Sequence, residues 1–457
     1  MDDFVLLQGN PAPRGEQLAL CQKNLLKQRI NDFKALCDKL GLGPLELPDR
    51  ARQITQTLNV LCQEWLIEAR AVAACAQIPT ASFMAITYPP EKVQPALLPK
   101  RANDSTSLAA CSMDPAARTL FLENCDGPDI VHHVISRAES PGTLAYVALA
   151  EAADIGIKAF LNEAGLAGTF HMGPPVDDYT SSCLQPTLVL RQLCERATSC
   201  AQAASEFETL QKRMGPATPD RRGVCYLFAD SAGEIMLLEA TATKFKQQRL
   251  PKGFLVSTNK FQLTTNNQTT IEPFRQRCLN EHLNSGPLTP RHIVQASRVD
   301  KKAGSEKGVC DAETRASFVA VLGGTGHPCY ALVTLGSPLF NLPVPLFPRM
   351  GVPAGMVDGS AFTQSFRMAD PSGGREQRRA KYETILYERL ASIASGATDD
   401  KLMAITAEMW KLAREYAEAG AAKPAVMPPP LPNNADITPV LNAPPLPGVS
   451  LPPKPSA

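Results

Sequence analysis

A chain of 457 residues, 44% of them hydrophobic, can bury one large core or two ordinary ones. Its 46 basic and 45 acidic side chains leave a formal charge of +1, which excludes the long-range field that gathers nucleic acid or an anionic membrane. The 13 cysteines form no C-x-x-C pair, which argues against a disulfide framework or zinc ribbon and for reduced core thiols in a cytoplasmic protein.

The opening "MDDFVLLQGNPAPRG" is acidic and its apolar run is too short for a signal peptide, and no later run is long enough to span a bilayer. From Glu16 to Ala76 apolar residues recur at helical spacing, with Gly41 and Gly43 as a stop between two helices. Next comes "STSLAACSMDPAARTLFLENCDG", residues 105–127, where small residues lead to Cys111 and an apolar run follows. Beyond it the pattern turns to β-branched and aromatic runs: "RTLFLEN", "VCYLFADSAGEIMLLEAT", "KGFLVSTNKF" and "ASFVAVLGGTGHPCYALVTLG". Ser231-Ala232-Gly233 and Gly323-Gly324-Thr325-Gly326 read as hairpin turns, the latter in preference to a phosphate cradle because no helix follows. "TLVLRQLCERATSCAQAASEFETLQKRMG" and "EPFRQRCLNEHLNSG" read as helices between the strand clusters, an α+β pattern. Two more helices precede a proline-rich tail, expected to be extended, a solvated end or a docking segment for a proline-reading groove.

Cys111 carries the chemical question. An internal thiol is a weak nucleophile at neutral pH. Cutting the peptide bond before it would give the same residue an α-amino group with a pKa near 7.7–8.0, a general base on the nucleophile itself. The thiol could make that cut by attacking the Ala110 carbonyl, with Ala109 and Ala110 leaving room. The bland alternative is a buried thiol at the start of a strand.

Several segments in colinear order resemble the acyl-coenzyme A:6-aminopenicillanate acyltransferase family of N-terminal-nucleophile (Ntn) hydrolases. They are the "VLLQGNPAPRGEQLALCQKNLL" opening, the "WLIEARAVAACAQIPTASFMAITYPPE" approach, Cys111-Ser112, Asn124-Cys125-Asp126, "FLNEAGLAGTFHMG", "YLFADSAGEIMLLEAT", "FLVSTNKF", and "TRASFVAVL" with "YALVTLGSP". The resemblance covers residues from about 4 to 340. It implies a four-layer αββα sandwich, made as a precursor and cut between Ala110 and Cys111. The implied units are a helical propeptide segment 1–110 retained as a subunit, a catalytic core 111–345, a helical extension 346–422 and the tail 423–457. By the same resemblance Cys111 is the nucleophile, Asp126 holds the new amine, Asn259 donates to the oxyanion, and Arg315 lies near the site. Asn124 and His171 are pocket residues by the same token. The implied activity is an amidohydrolase or acyltransferase acting on a small amide or acyl substrate, without metal or redox cofactor and with acyl-coenzyme A conceivable as donor.

Three positions depart from the family pattern. Glu123 stands where an amide or a base is usual, Gly127 where an aromatic residue often follows the aspartate, and Lys260 where histidine is common. They leave two rivals: a noncatalytic relative serving as a scaffold, and an uncut enzyme with Cys111 as an internal nucleophile beside a histidine. The His132-His133 pair is a poor metal site, because neighbours on a strand point to opposite faces.

Overall fold

The computed structural model describes residues 4–41, 46–87, 105–111, 118–127, 132–137, 142–151, 154–178, 185–214, 222–264, 273–303, 306–311, 313–323, 327–351, 374–393 and 396–421. The proline-rich tail, Ser112 and the turn residues Gly324, Thr325 and Gly326 lie outside them. All the described residues belong to one compact unit, Met1–Ala421.

The chain opens with strand β1 (Phe4–Leu7) and helix α1 (Pro11–Lys39), whose proline sits in the first turn, where no helical hydrogen bond is lost. Helices α2 (Glu46–Leu61), α3 (Gln63–Ala76) and α4 (Thr80–Thr87) follow. Gly15 lets α1 and α3 touch: a Cβ there would lie 2.2 Å from the Glu68 carbonyl oxygen. Next come β2 (Thr106–Cys111), β3 (Thr119–Asp126), β4 (His132–Arg137), β5 (Tyr146–Glu151), β6 (Ala159–Asn162) and β7 (Leu166–Pro175). The helical run after β7 is two helices, α5 (Pro186–Arg196) and α6 (Cys200–Met214). Strands β8 (Arg222–Asp230), β9 (Ile235–Ala240), β10 (Phe245–Leu250) and β11 (Gly253–Ser257) precede α7 (Phe274–Leu283) and α8 (Pro290–Ala296). The short pair β12 (Lys302–Ala303) and β13 (Glu306–Lys307) leads to β14 (Thr314–Leu322), β15 (Tyr330–Leu335) and β16 (Val344–Leu346). Helices α9 (Gly374–Ala391) and α10 (Asp399–Ala421) end the described chain.

Two sheets form the centre. One has the order β1-β4-β5-β6-β7-β8-β9-β10 and the other β11-β2-β3-β14-β15-β16. Strand alternation assigns the faces. Tyr146, Ala148, Phe160, Phe170, Tyr226, Phe228, Met236 and Leu238 pack on the N-terminal helices and on α5 and α6. Val147, Leu149, Leu161, Ala167, Leu227 and Leu237 share a second core with the six-stranded sheet and α7 to α10. The helical segment before β2 is therefore not self-contained: β1 joins the eight-stranded sheet, parallel to β4. The boundary expected between residues 110 and 111 falls inside β2, where Ala110 pairs with Leu120 on one side and Phe254 on the other.

A buried ion network ties the first helices to the rest. Arg191 of α5 donates to both oxygens of Glu68 on α3, at 2.9 and 2.7 Å, and to Glu195 at 2.8 Å. Arg14 of α1 reaches Glu68 at 3.3 Å, and the Trp65 indole donates to Glu195 at 3.2 Å. Removing one member of such a cluster strands its partners in low dielectric. Glu68→Gln should therefore cost about 3–5 kcal/mol of stability, read as a lower urea midpoint at unchanged slope.

Candidate active site

The antiparallel register of three strands decides which of the singled-out residues meet. In the β2–β3 pair Thr106 faces Asn124, Ser107 faces Glu123 and Ala110 faces Leu120. In the β2–β11 pair Ser107 faces Ser257 and Cys111 faces Gly253. Asn124, Cys125, Asp126, Thr258 and Asn259 therefore gather around Ser105 and Thr106. Cys111 is at the other end of β2, about 17 Å away along five strand residues. Its sulfur accepts from the Thr119 hydroxyl at 3.8 Å and lies against Gly233 in the β8–β9 turn. The expected cluster of Cys111 with Asp126 and Asn259 does not form.

Ser105 occupies the position expected of Cys111. It is fully buried at the entry to β2, and its hydroxyl has no hydrogen-bond partner. Arg275, from α7, ties this end together. One of its guanidinium nitrogens lies 3.4 Å from the Ser105 carbonyl oxygen, 3.2 Å from the Thr106 hydroxyl and 3.5 Å from Asp126 Oδ2. Thr314 donates to Asp126 Oδ1 at 2.6 Å. Burial nevertheless dominates, and the Asp126 carboxyl is pushed up to about 8, against the pull of Thr314 and Arg275. Arg315 is at the same end, its Nε 3.4 Å from the Gly127 carbonyl oxygen. Asn124 faces the helices on the outer side of the sheet, donating to the Ser297 and Val309 carbonyls at 2.8 and 2.9 Å. Those bonds fix the end of α8 and the segment before β14 to β3 and do not direct the amide into a pocket between the sheets.

Asn259 is held from three directions. Its amide donates to the Met172 carbonyl at 3.0 Å. The Phe261 ring lies over Gly173 and Gly223, where added Cβ atoms would come within 2.8 and 2.1 Å of it. Glu239 of β9, buried between the sheets, accepts from the Gln262 backbone N–H, from Leu263 N–H at 2.9 Å and from Thr264 N–H at 3.0 Å. A carboxylate receiving several backbone donors is a rigid anchor for the loop that carries Asn259. Lys260 contributes its carbonyl, which accepts from the Cys225 thiol at 3.7 Å.

Between the sheets, beside Ser107, lies a carboxylate–imidazole pair: His171 Nε2 is 2.8 Å from Glu123 Oε2, and both side chains are fully buried. Cys125 donates to the other Glu123 oxygen at 3.5 Å. Burial, then the charge of Glu123, drives the Cys125 thiol well above its ordinary range. His171 is held below the usual imidazole value, burial outweighing Glu123. The hydroxyls of Ser107 and Ser257 and His171 Nδ1 have no hydrogen-bond partner. So many buried polar atoms left unsatisfied on adjoining strands mark a place built for a ligand, water or reaction.

The residues that sequence reading overlooked are Ser105, Arg275 and Glu239. For Ser105 the signal was present: Asp114-Pro115 is a turn dipeptide, and folding the chain back about it sets 124–126 against 104–106 and leaves 111 near the bend. Arg275 and Glu239 carry no such signal, being one arginine and one glutamate in ordinary helix and strand patterns.

Only Cys200, Asp230 and Glu234 come close enough together, among the described residues, to suggest metal ligands. Asp230 is occupied by backbone N–H groups of Cys200, Ala232 and Glu234, and Glu234 pairs with Arg249. They form a turn and a helix cap.

No curated protein matches the sequence. Among solved structures, the chain is similar to a Caenorhabditis elegans N-acylethanolamine-hydrolyzing acid amidase ortholog at 14% identity and TM-score 0.34, over 47% of this chain and 92% of that one. It is also similar to the penicillin V acylase from Agrobacterium tumefaciens, at 14% identity and TM-score 0.33, over 51% and 84%. A mutant of conjugated bile acid hydrolase from Clostridium perfringens aligns at 13% identity and TM-score 0.34, over 53% and 92%. Residues 115–302, the stretch that holds Glu123, Asp126, His171, Asn259 and Arg275, match the model of the acyl-coenzyme A:6-aminopenicillanic acid acyl-transferase family, the family that the sequence motifs resemble.

Proposed function

We propose that the chain is a self-cleaving Ntn-type amidohydrolase or acyltransferase whose nucleophile is Ser105, not Cys111. The observation that carries this reading is a buried hydroxyl, without a partner among the described residues, at the end of β2, β3 and β11 where Asp126, Asn259, Thr106 and Arg275 also lie. The family match supports acyl transfer from an amide or thioester as the reaction class. The two sheets with helices on their outer faces support the four-layer αββα reading, and the chain before Ser105 is the segment that the cut would separate.

Cleavage before Ser105 gives one residue both a hydroxyl and an α-amine, so the base and nucleophile needed for acyl transfer become one group. The amine emerges beside Asp126. In the uncut chain burial keeps that carboxyl protonated at neutral pH; an ammonium or amine next to it gives the charged form a partner and draws its pKa down. Asn259, anchored through Glu239, stands across from Ser105 with an amide that could leave Met172 for an oxyanion. A preorganised donor of that kind contributes about 3–4 kcal/mol to acyl transfer. The detached segment would stay as a subunit, since β1 is paired to β4 and Glu68 is bound to Arg191. Acyl-coenzyme A as donor, and the proline-rich tail as docking segment, remain part of the reading without residues assigned to them.

Cys111 as nucleophile is the second reading, favoured by thiol chemistry alone. Intact-mass analysis and N-terminal sequencing separate the two. The wild-type chain should give two pieces, the larger beginning Ser-Thr-Ser; Ser105→Ala should stay whole and Cys111→Ala should cut like wild type. A large piece beginning Cys-Ser-Met, with Cys111→Ala uncut, would move the nucleophile back to the thiol. The scaffold reading requires that none of the three be cut.

Asp126 gives a pH prediction for the uncut Ser105→Ala chain. Its folded pKa is raised from 3.8 to about 8, so between these values the unfolded chain loses a proton that the folded chain keeps. This group's contribution is fully present below pH about 4 and falls by about 1.4 kcal/mol per unit as pH rises toward 8. Asp126→Asn in the same background should flatten that part of a urea-midpoint profile against pH.

A further inference from the structure

The α-amine that serves as base after cleavage does not exist before it. The first attack of Ser105 on the preceding carbonyl needs another acceptor for the hydroxyl proton. Thr106 and Arg275 can only donate to an anion or bridge to one, and Asp126 is already protonated through burial and takes the Thr314 hydroxyl. Among the described residues, the space between the sheets holds one buried imidazole with a nitrogen to spare. His171 stands on β7 facing β3, its Nε2 on the Glu123 carboxylate, so the neutral ring donates from Nε2 and leaves the unpartnered Nδ1 as a lone-pair acceptor. Glu123 lies directly across from Ser107 in the β2–β3 register, two residues along the same strand face from Ser105. The hydroxyls of Ser107 and Ser257, opposed on β2 and β11, have no partner among the described residues and lie on the strand face that carries Glu123.

We propose that His171, oriented by Glu123, accepts the Ser105 proton in the uncut chain through one water held by the Ser107 and Ser257 hydroxyls. This rests on the reading of Ser105 as nucleophile. Ser105 Oγ loses its proton to the water, which passes one to His171 Nδ1, while Oγ bonds to the carbonyl carbon of residue 104. The imidazolium returns the proton to the Ser105 nitrogen as the C–N bond breaks, leaving an ester and a free amine. Water then hydrolyses the ester to a carboxylate and the Ser105 hydroxyl, and His171 ends neutral as it began. A carboxylate behind an imidazole stabilises the imidazolium and fixes the tautomer, the division of labour seen wherever a hydroxyl is activated this way. Glu123 is thus a positioning residue, which gives a use to the acid found where relatives carry an amide or a base.

His171 feels the charges of Glu123, Lys158 and Arg275, with Glu123 in contact and Cys125 and Cys225 on the neighbouring strands. Burial and the two cations favour the neutral ring, so it can act as a base at and below neutral pH. The test follows cutting of freshly synthesised full-length chain by intact mass across pH about 5 to 8. Wild type should show a rate that rises along an acid limb below the ordinary imidazole midpoint and then levels off. His171→Gln should cut about a hundredfold or more slowly, with the limb and plateau replaced by a rate that climbs with hydroxide across the range. Glu123→Gln should lower the plateau about tenfold and move the limb to more acid pH. Thermal melting checks that each variant is folded, and Glu123→Gln carries the test if His171→Gln is not. Wild-type rates in folded His171→Gln, or slower cutting of either variant with the wild-type pH profile intact, overturn the assignment while leaving Ser105 in place. A wild-type chain that is never cut removes both.

Discussion

The register between β2 and its two neighbours is the constraint on which the site depends. A hydrogen-bonded ladder fixes every cross-strand pair at once, so the choice that sets Thr106 against Asn124 also sets Cys111 against the far end of β11. No side-chain rearrangement can bring the Cys111 sulfur to Asp126 without sliding a strand by several residues, which would break the ladders to β3 and β11. The Asp126 end therefore gathers side chains from four separate stretches: 105–107, 123–126, 257–259 and Arg275.

Those stretches are held by buried polar and aromatic contacts. Glu239 collects the backbone of 262–264, Phe261 closes over two glycines, and Asn124 fastens β3 to the end of α8 and to the segment before β14. Each device spends a buried polar or aromatic group on fixing backbone, and the result is a set of strand ends with little freedom to drift. The same economy explains why a buried carboxylate network, costly to desolvate, joins Arg14, Glu68 and Arg191. It links the helices before β2 to α5 by directional bonds that do not depend on the peptide connection between them.

Much of this was legible in the sequence. The strands at 119–126, 222–240, 253–257 and 314–335, the hairpin at 231–233 and several of the helices follow from side-chain period and turn residues, whereas strands such as 132–137, 146–151 and 245–250 carry no such signal, and the family match over 115–302 bears out the resemblance. Ser105 was harder to pick out, because a thiol draws attention by its reactivity whereas serines at 105 and 107 look like ordinary polar punctuation. Chemistry ranked Cys111 first; the ladder sets it at the opposite end of β2 from Asp126 and Asn259. Counting back from the Asp114-Pro115 dipeptide was the step that would have brought Ser105 into view. Glu239 and Arg275 were beyond reach, since their importance comes from contacts separated by more than 20 residues in the chain for one and about 150 for the other.

The departures from the family pattern also acquire a common sense. An acid at 123 in the space between the sheets would be intolerable alone, since a buried carboxylate without donors is pushed toward its neutral form. Here it receives His171 and Cys125, and Lys158 adds positive potential nearby. Had position 123 been basic, the same imidazole would have faced a cation and its Nε2 would have had no acceptor. Glu123 and His171 are thus a matched pair: each is costly without the other, and together they leave one nitrogen and two hydroxyls unspent beside the proposed bond to be cut. Each polar atom buried without a partner costs about 1–3 kcal/mol. Among the described residues, Ser105, Ser107, Ser257 and His171 hold four such atoms on β7, β11 and the start of β2, and others lie elsewhere in the fold.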